Sequence, residues 1–99
     1  MNLEWDLTAE SYFDQLPSVE RSRVLHVVKD LATRWDGIKE THLHRLPGDQ
    51  GNLFSLRVGS DLRVIVQRRD DVITVVDVVR RSQIDGLRRV MKLHQPAPG

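Results

Sequence analysis

The chain has 99 residues, 29% of them charged, a net charge of +1 and no cysteine. That length supports one hydrophobic core and a single domain over residues 1–99, with the composition of an ordinary soluble globular protein. Disulfides and a thiolate metal site are excluded, and no apolar run approaches the roughly 18–20 residues of a membrane span.

The first element is a strand. "LEWDL", Leu3 to Leu7, alternates apolar and acidic side chains, the period-two pattern of a half-buried strand. Thr8 fits the cap of a short helix, Ala9 to Leu16, with Tyr12, Phe13 and Leu16 on its apolar face. Pro17-Ser18 breaks the chain and restarts it, Ser18 capping a longer helix. In that helix Val24, Val28, Leu31 and Trp35 recur at spacings of four, three and four, and Gly37 reads as its stop. His26 falls inside it and reads as structural.

The second half changes period. "THLHRL" alternates, placing His42 and His44 on one face, and "PGDQGN" is a loop dense in turn formers. In 53–58, Phe54, Leu56 and Val58 share a face; in 62–67, Leu62, Val64 and Val66 do the same. "RRDD" is a polar turn, and "VITVVDVV" (72–79) is apolar on both faces, the pattern of a strand buried on both sides. Short connections favour an antiparallel meander. "QIDGLRRVMKL" suggests a short C-terminal helix, and residues 94–99 a flexible tail. The expected fold is therefore α+β: two N-terminal helices on one face of a small antiparallel sheet, in the order β-α-α-β-β-β.

Within that fold the apolar faces of 53–58 and 62–67 meet the helices, so Arg57 and Arg63 point away from them. Arg80 and Arg81, ending the third meander strand, are placed to join them. Charge follows the same division. Residues 1–40 carry five basic and eight acidic side chains, whereas residues 41–99 carry ten basic and six acidic. Like charges opposed across strands repel, so either a bound anion or the aspartates 61, 70, 71 and 77 must offset the cluster. A polyanion footprint is the functional reading.

The segment "HRLPGDQGNLFSLRVGSDLRVIVQRRDDVITVVDVVRR", with the order of elements before it, resembles the RelE/ParE superfamily of type II toxin–antitoxin toxins. The likeness spans roughly residues 3–93. It lies in a basic residue ahead of a leucine and a glycine-containing loop ("HRLPG"), an aromatic-started strand ("LFSLRVG"), an arginine early in the next strand (Arg63) and the closing Arg80-Arg81. The resemblance implies a cytoplasmic toxin held inactive by a cognate antitoxin and needing no cofactor or metal. RelE-like members cut mRNA on the ribosome; ParE-like members poison DNA gyrase; a third possibility is a binding protein that keeps only the fold.

On the RelE-like reading, Arg57, Arg63 and Arg81 match basic positions of the catalytic surface, and Arg45, Arg80 and His42 join them as RNA contacts. Arginine suits phosphate because its planar fork pairs with two oxygens, but it stays protonated and carries no proton. Histidine near neutral pH is the natural acid or base, and His44 is the candidate. Two departures from the RelE pattern stand out. Ser55 occupies a position where a lysine is usual, and there is no C-terminal tyrosine, His94 being the only titratable ring in residues 82–99.

Overall fold

The computed structural model describes residues 1–37, 42–47 and 52–82. It contains strand β1 (Asn2–Trp5), helices α1 (Leu7–Gln15) and α2 (Ser18–Thr33), and strands β2 (Leu43–Arg45), β3 (Leu53–Val58), β4 (Leu62–Arg69) and β5 (Val72–Arg80). The expected C-terminal helix, the tail and His94 lie outside the described residues.

The strands form one sheet in the order β1-β5-β4-β3-β2. β2, β3, β4 and β5 pair antiparallel, as the short connections require. β1 adds a parallel pairing to β5, which makes the sheet mixed rather than wholly antiparallel. The two helices carry the chain from β1 across to β2 at the far edge, and the meander then brings β5 back beside β1. β2 is an extra short strand within the alternating "THLHRL".

Both helices begin one or two residues before their expected starts. Asp6 and Pro17, each extended, occupy the cap positions in place of Thr8 and Ser18. Proline holds its own backbone extended while its carbonyl accepts the Arg21 amide at 3.0 Å, opening α2 directly after the break. α2 ends at Thr33, and Gly37 instead closes a 3-10 turn, Trp35–Gly37.

The core is the layer between the helices and one face of the sheet. Val24, Val28 and Leu31 of α2 and Ala9 of α1 are fully buried against Leu56, Val58, Leu62, Val64, Val66, Ile73, Val75 and Val78. The apolar alternation of β3 and β4 thus faces the helices as expected. Two aromatic pairs close the ends of this layer: Trp5 with Phe13, rings 5.1 Å apart, and Trp35 edge-on to Phe54 at 4.9 Å. Tyr12 departs from its expected place. It is half exposed, one residue off the inward stripe formed by Ala9, Phe13 and Leu16. His26 is exposed on α2.

The apolar run in β5 has a different origin from two-sided burial. Ile65 pairs with Asp77 but Val66 pairs with Val75, leaving Val76 as an extra residue, a β-bulge. Ile73 and Val75 face the core before the bulge and Val78 faces it after, so the alternation changes phase at Val76. The Asp77 carboxylate accepts the Val78 amide at 2.8 Å and supports the irregular backbone there.

Candidate functional site

The sheet face turned away from the helices is built from the odd residues of β3 and β4. Arg57 pairs directly with Arg63, and Arg63 with Val79. The Arg57 amide donates to the His42 carbonyl at 2.7 Å, extending this row to the β2 side. The next row runs His44, Ser55, Ile65 and Asp77. His44 is thus a diagonal neighbour of Arg57, with a Cα separation of roughly 7–8 Å, and Ser55 lies between them and Ile65.

Two like charges face each other across β3 and β4, and local backbone geometry fixes both. Val58 and Leu62 close the β3–β4 hairpin around Gly59-Ser60-Asp61, where Gly59 has φ +64°. A left-handed residue at that point favours glycine, and its carbonyl accepts Arg57 Nε–H at 3.2 Å. Arg63 Nη1–H donates to the Leu62 carbonyl at 2.9 Å. Both guanidinium groups are therefore drawn to the hairpin end.

Asp61, Asp70 and Asp71 of the suggested neutralisers are engaged or remote, whereas Asp77 keeps its carboxylate charge on the far face, one rung from Arg63. Asp61 pairs with Arg80 at 3.1 Å, and Asp77 accepts the bulge amide. Asp70 and Asp71 form the β4–β5 turn at the opposite end of the strands. Among the described residues Arg57 makes no ion pair, and its guanidinium bonds only the Gly59 carbonyl.

Arg80 does not join this cluster. The bulge turns it to the helical side, where it binds both oxygens of Glu20 at 2.9 and 3.1 Å and reaches Asp61 as well. The bonds from Arg80 hold the Glu20 carboxyl below its ordinary value of 4.5, against a smaller opposing effect of burial. Arg80 is a clamp between β5, α2 and the hairpin turn. Arg81 follows on the other side of the strand, exposed, its amide bonded to the Asp61 carbonyl. It continues the alternation of Asp77 and Val79 toward the far face.

Arg45 is also on the helical side. It pairs across β2 and β3 with Phe54 and lies over that ring at 5.7 Å. The structure thus brings Arg57, Arg63 and His44 onto one face with His42 and Arg81 at its rim, and separates Arg45 and Arg80 from them. Tyr12 belongs to the helical layer. Sequence reasoning missed Arg68, whose guanidinium lies 4.9 Å from the centre of the Trp35 ring. Its parity with Leu62, Val64 and Val66 was the signal that it faces the helical side. It also passed over Gly59, whose carbonyl anchors Arg57.

Chemically, a pair of guanidinium groups at one hairpin end suits an anion with several oxygens. Among the described residues no group of three or more metal-ligating side chains occurs.

No protein-family model matches the sequence, and no curated protein does either. Solved structures do. The chain matches RelE of the Pyrococcus horikoshii RelE–RelB complex at 23% identity and a TM-score of 0.67, covering 83% of this chain and 96% of that one. It matches the isolated Escherichia coli RelE toxin at 18% identity and a TM-score of 0.65, over 90% and 97% of the two chains.

The fold is that of the RelE toxins.

A YoeB/ParE toxin from Agrobacterium tumefaciens gives a TM-score of 0.66 at 14% identity, over 82% and 99% of the two chains. The RelE fold therefore spans nearly the full length of each neighbour. It places Arg57 and Arg63 on adjacent central strands, on the sheet face that the helices leave to the far side.

Proposed function

We propose that this chain is the toxin of a type II toxin–antitoxin pair, a ribosome-dependent mRNA interferase with the Arg57–Arg63 pair as its phosphate-binding centre. The observation that carries this reading is the direct opposition of the two arginines on the far face, with Asp61 committed to Arg80 instead. A fold that tolerates such repulsion gains from an anion between the charges. The RelE fold of the solved neighbours, several of them complexes with RelB, supports both the toxin assignment and a cognate antitoxin. That antitoxin is expected to present an acidic or amphipathic segment to this chain.

In the proposed reaction the RNA 2′-hydroxyl attacks the adjacent phosphorus. The O2′–P bond forms as the P–O5′ bond breaks, leaving a 2′,3′-cyclic phosphate and a 5′-hydroxyl. A base takes the 2′ proton and an acid supplies one to the 5′ oxygen. Arg57 and Arg63 stabilise the charge that develops on the phosphoryl oxygens, and Arg81 and His42 hold the strand at the rim. His44, on the same face and one diagonal from Arg57, is assigned a proton-transfer role. Arg80 has no part in this centre.

Induced expression with mapping of mRNA 5′ ends, run beside a gyrase supercoiling assay, tests the proposal. New 5′ ends within translated codons, with supercoiling unchanged, are expected. Inhibited supercoiling without new ends identifies a gyrase poison, and neither effect leaves a binding protein with the toxin fold.

A further inference from the structure

A second concentration of unusual chemistry lies on the helical side of the sheet, at the edge formed by β2 and β3. Trp35 from the turn after α2 packs edge-on against Phe54, with ring centres 4.9 Å apart. Arg68 covers the Trp35 ring at 4.9 Å and Arg45 sits over Phe54 at 5.7 Å. These four residues, with Asn52 and Asp70, line one open cavity of about 370 Å³, within the size range of small-ligand sites. The rungs of the sheet explain the convergence. Arg45 is opposite Phe54, and the Arg68 amide donates to the Asn52 carbonyl at 3.0 Å, so both arginines flank the same aromatic floor.

Charge balance sets this corner apart. Among the described residues neither Arg45 nor Arg68 forms an ion pair; Arg68 Nε–H reaches only the Asp70 carbonyl, at 3.4 Å. By contrast, Arg34 and Arg80 on the same side of the molecule each bind a carboxylate. Two cations stacked on two rings, without carboxylate partners, are the groups that single-stranded nucleic acids engage.

We infer that this Trp35–Phe54–Arg45–Arg68 corner is a second nucleic-acid site, binding a nucleotide of single-stranded RNA independently of the Arg57–Arg63 centre. The phosphate takes donors from Arg45 and Arg68, whose ring contacts leave their N–H edges available. The base stacks on the outer plane of a guanidinium or ring, extending the existing cation–π stack by one layer. Asn52 and Asp70 line the same cavity and supply polar groups for the edge of the base. An acidic peptide would use the charges but not the planes, which favours RNA as the occupant. The corner lies on the opposite side of the sheet from the proposed catalytic face, so it gives the toxin a second grip on RNA.

The test uses the full chain and a labelled single-stranded oligoadenylate of about eight nucleotides, without ribosomes, so it is independent of any cleavage activity. Filter binding gives the affinity. In a Trp5→Phe background, fluorescence reports the surroundings of Trp35 as the remaining tryptophan. Saturable quenching of Trp35 is expected, and Arg45→Gln with Arg68→Gln should weaken binding at least tenfold. With one neutralised phosphate lost, the slope of log affinity against log salt should fall by roughly 0.7. Arg57→Ala with Arg63→Ala should leave the Trp35 signal intact, which separates this site from the catalytic proposal. Circular dichroism confirms that each variant is folded, and filter binding on the unmodified tryptophan background serves if Trp5→Phe is not. Failure of the oligonucleotide to bind, an unchanged affinity in the Arg45/Arg68 double variant, or equal quenching by polyglutamate would overturn the inference.

Discussion

Replacing Arg57 or Arg63 by alanine separates catalysis from folding by a wide margin. Arg57 is exposed, and its guanidinium bonds a single backbone carbonyl, so its removal opens no cavity in the core. The lost hydrogen bond is worth about 0.5–1.5 kcal/mol, and relief of the directly opposed charge on the neighbouring strand returns roughly 0.2–1 kcal/mol. For Arg57 the central values leave a net loss of about 0.4 kcal/mol, as for most surface changes. Loss of a charge contact made in the transition state costs about 3–4 kcal/mol, on the order of 10²–10³-fold in rate. Urea midpoints and cleavage rates on translating ribosomes measure the two quantities on the same preparations. Lysine at either position should recover only part of the rate, because a point charge lacks the two-point fork. The double alanine variant should lose less than the sum of the single losses, since both side chains serve one phosphate. Wild-type cleavage by both alanine variants, or activity lost in proportion to stability, would refute the assignment.

Gly59→Ala has room for its methyl group, the nearest heavy atom being Arg23 Nη1 at 3.9 Å, but must hold φ near +64°. It should lose roughly 1–2 kcal/mol of stability, and cleavage should fall further because the carbonyl that anchors Arg57 shifts. Leu56→Ala removes a fully buried side chain from beneath α2 and should cost about 2–5 kcal/mol by urea titration. The Glu20–Arg80 pair predicts an acid-labile fold. Because the folded-state pKa of Glu20 is lowered below 4.5, its stabilisation is present above that value and is lost as pH falls through the folded pKa. Glu20→Gln should therefore be less stable than wild type at neutral pH, with the gap in urea midpoint closing below pH 4.5.

The parts of the fold read from sequence were those with unbroken alternation. Leu56, Val58, Leu62, Val64 and Val66 carry one period through β3 and β4, so the placement of Arg57 and Arg63 follows directly. The stripe Val24, Val28 and Leu31 fixed the inner face of α2 in the same way. Arg45 was legible too, for it has the parity of Leu43 and so opposes His42 and His44. Arg80 was not. Without a bulge it would share the far face with Arg63. Val76, one extra residue in a run of valines, sends it to the helical side and gives Arg81 the outward position. An apolar run hides such a phase change, because every residue in it tolerates either face; Asp77 alone marks the place. The parallel pairing of β1 escaped notice for another reason, since partner choice between distant strands leaves no trace in local period.

The bulge also connects the two halves of the charge distribution. By turning Arg80 inward, it supplies a cation to Glu20 on the acidic helical half, and the same guanidinium draws Asp61 away from the hairpin end. Asp61 lies in the turn that both far-face arginines approach, and its carboxylate is the acid best placed by sequence to quench them. With Arg80 outward, Glu20 would lack this clamp and Asp61 would be available to Arg57 and Arg63. A single inserted residue in β5 therefore clamps α2 to the sheet and commits the Asp61 carboxylate to Arg80. On that view the stability of this fold and the charge of its proposed catalytic centre are set by the same irregularity, not by separate features of the chain.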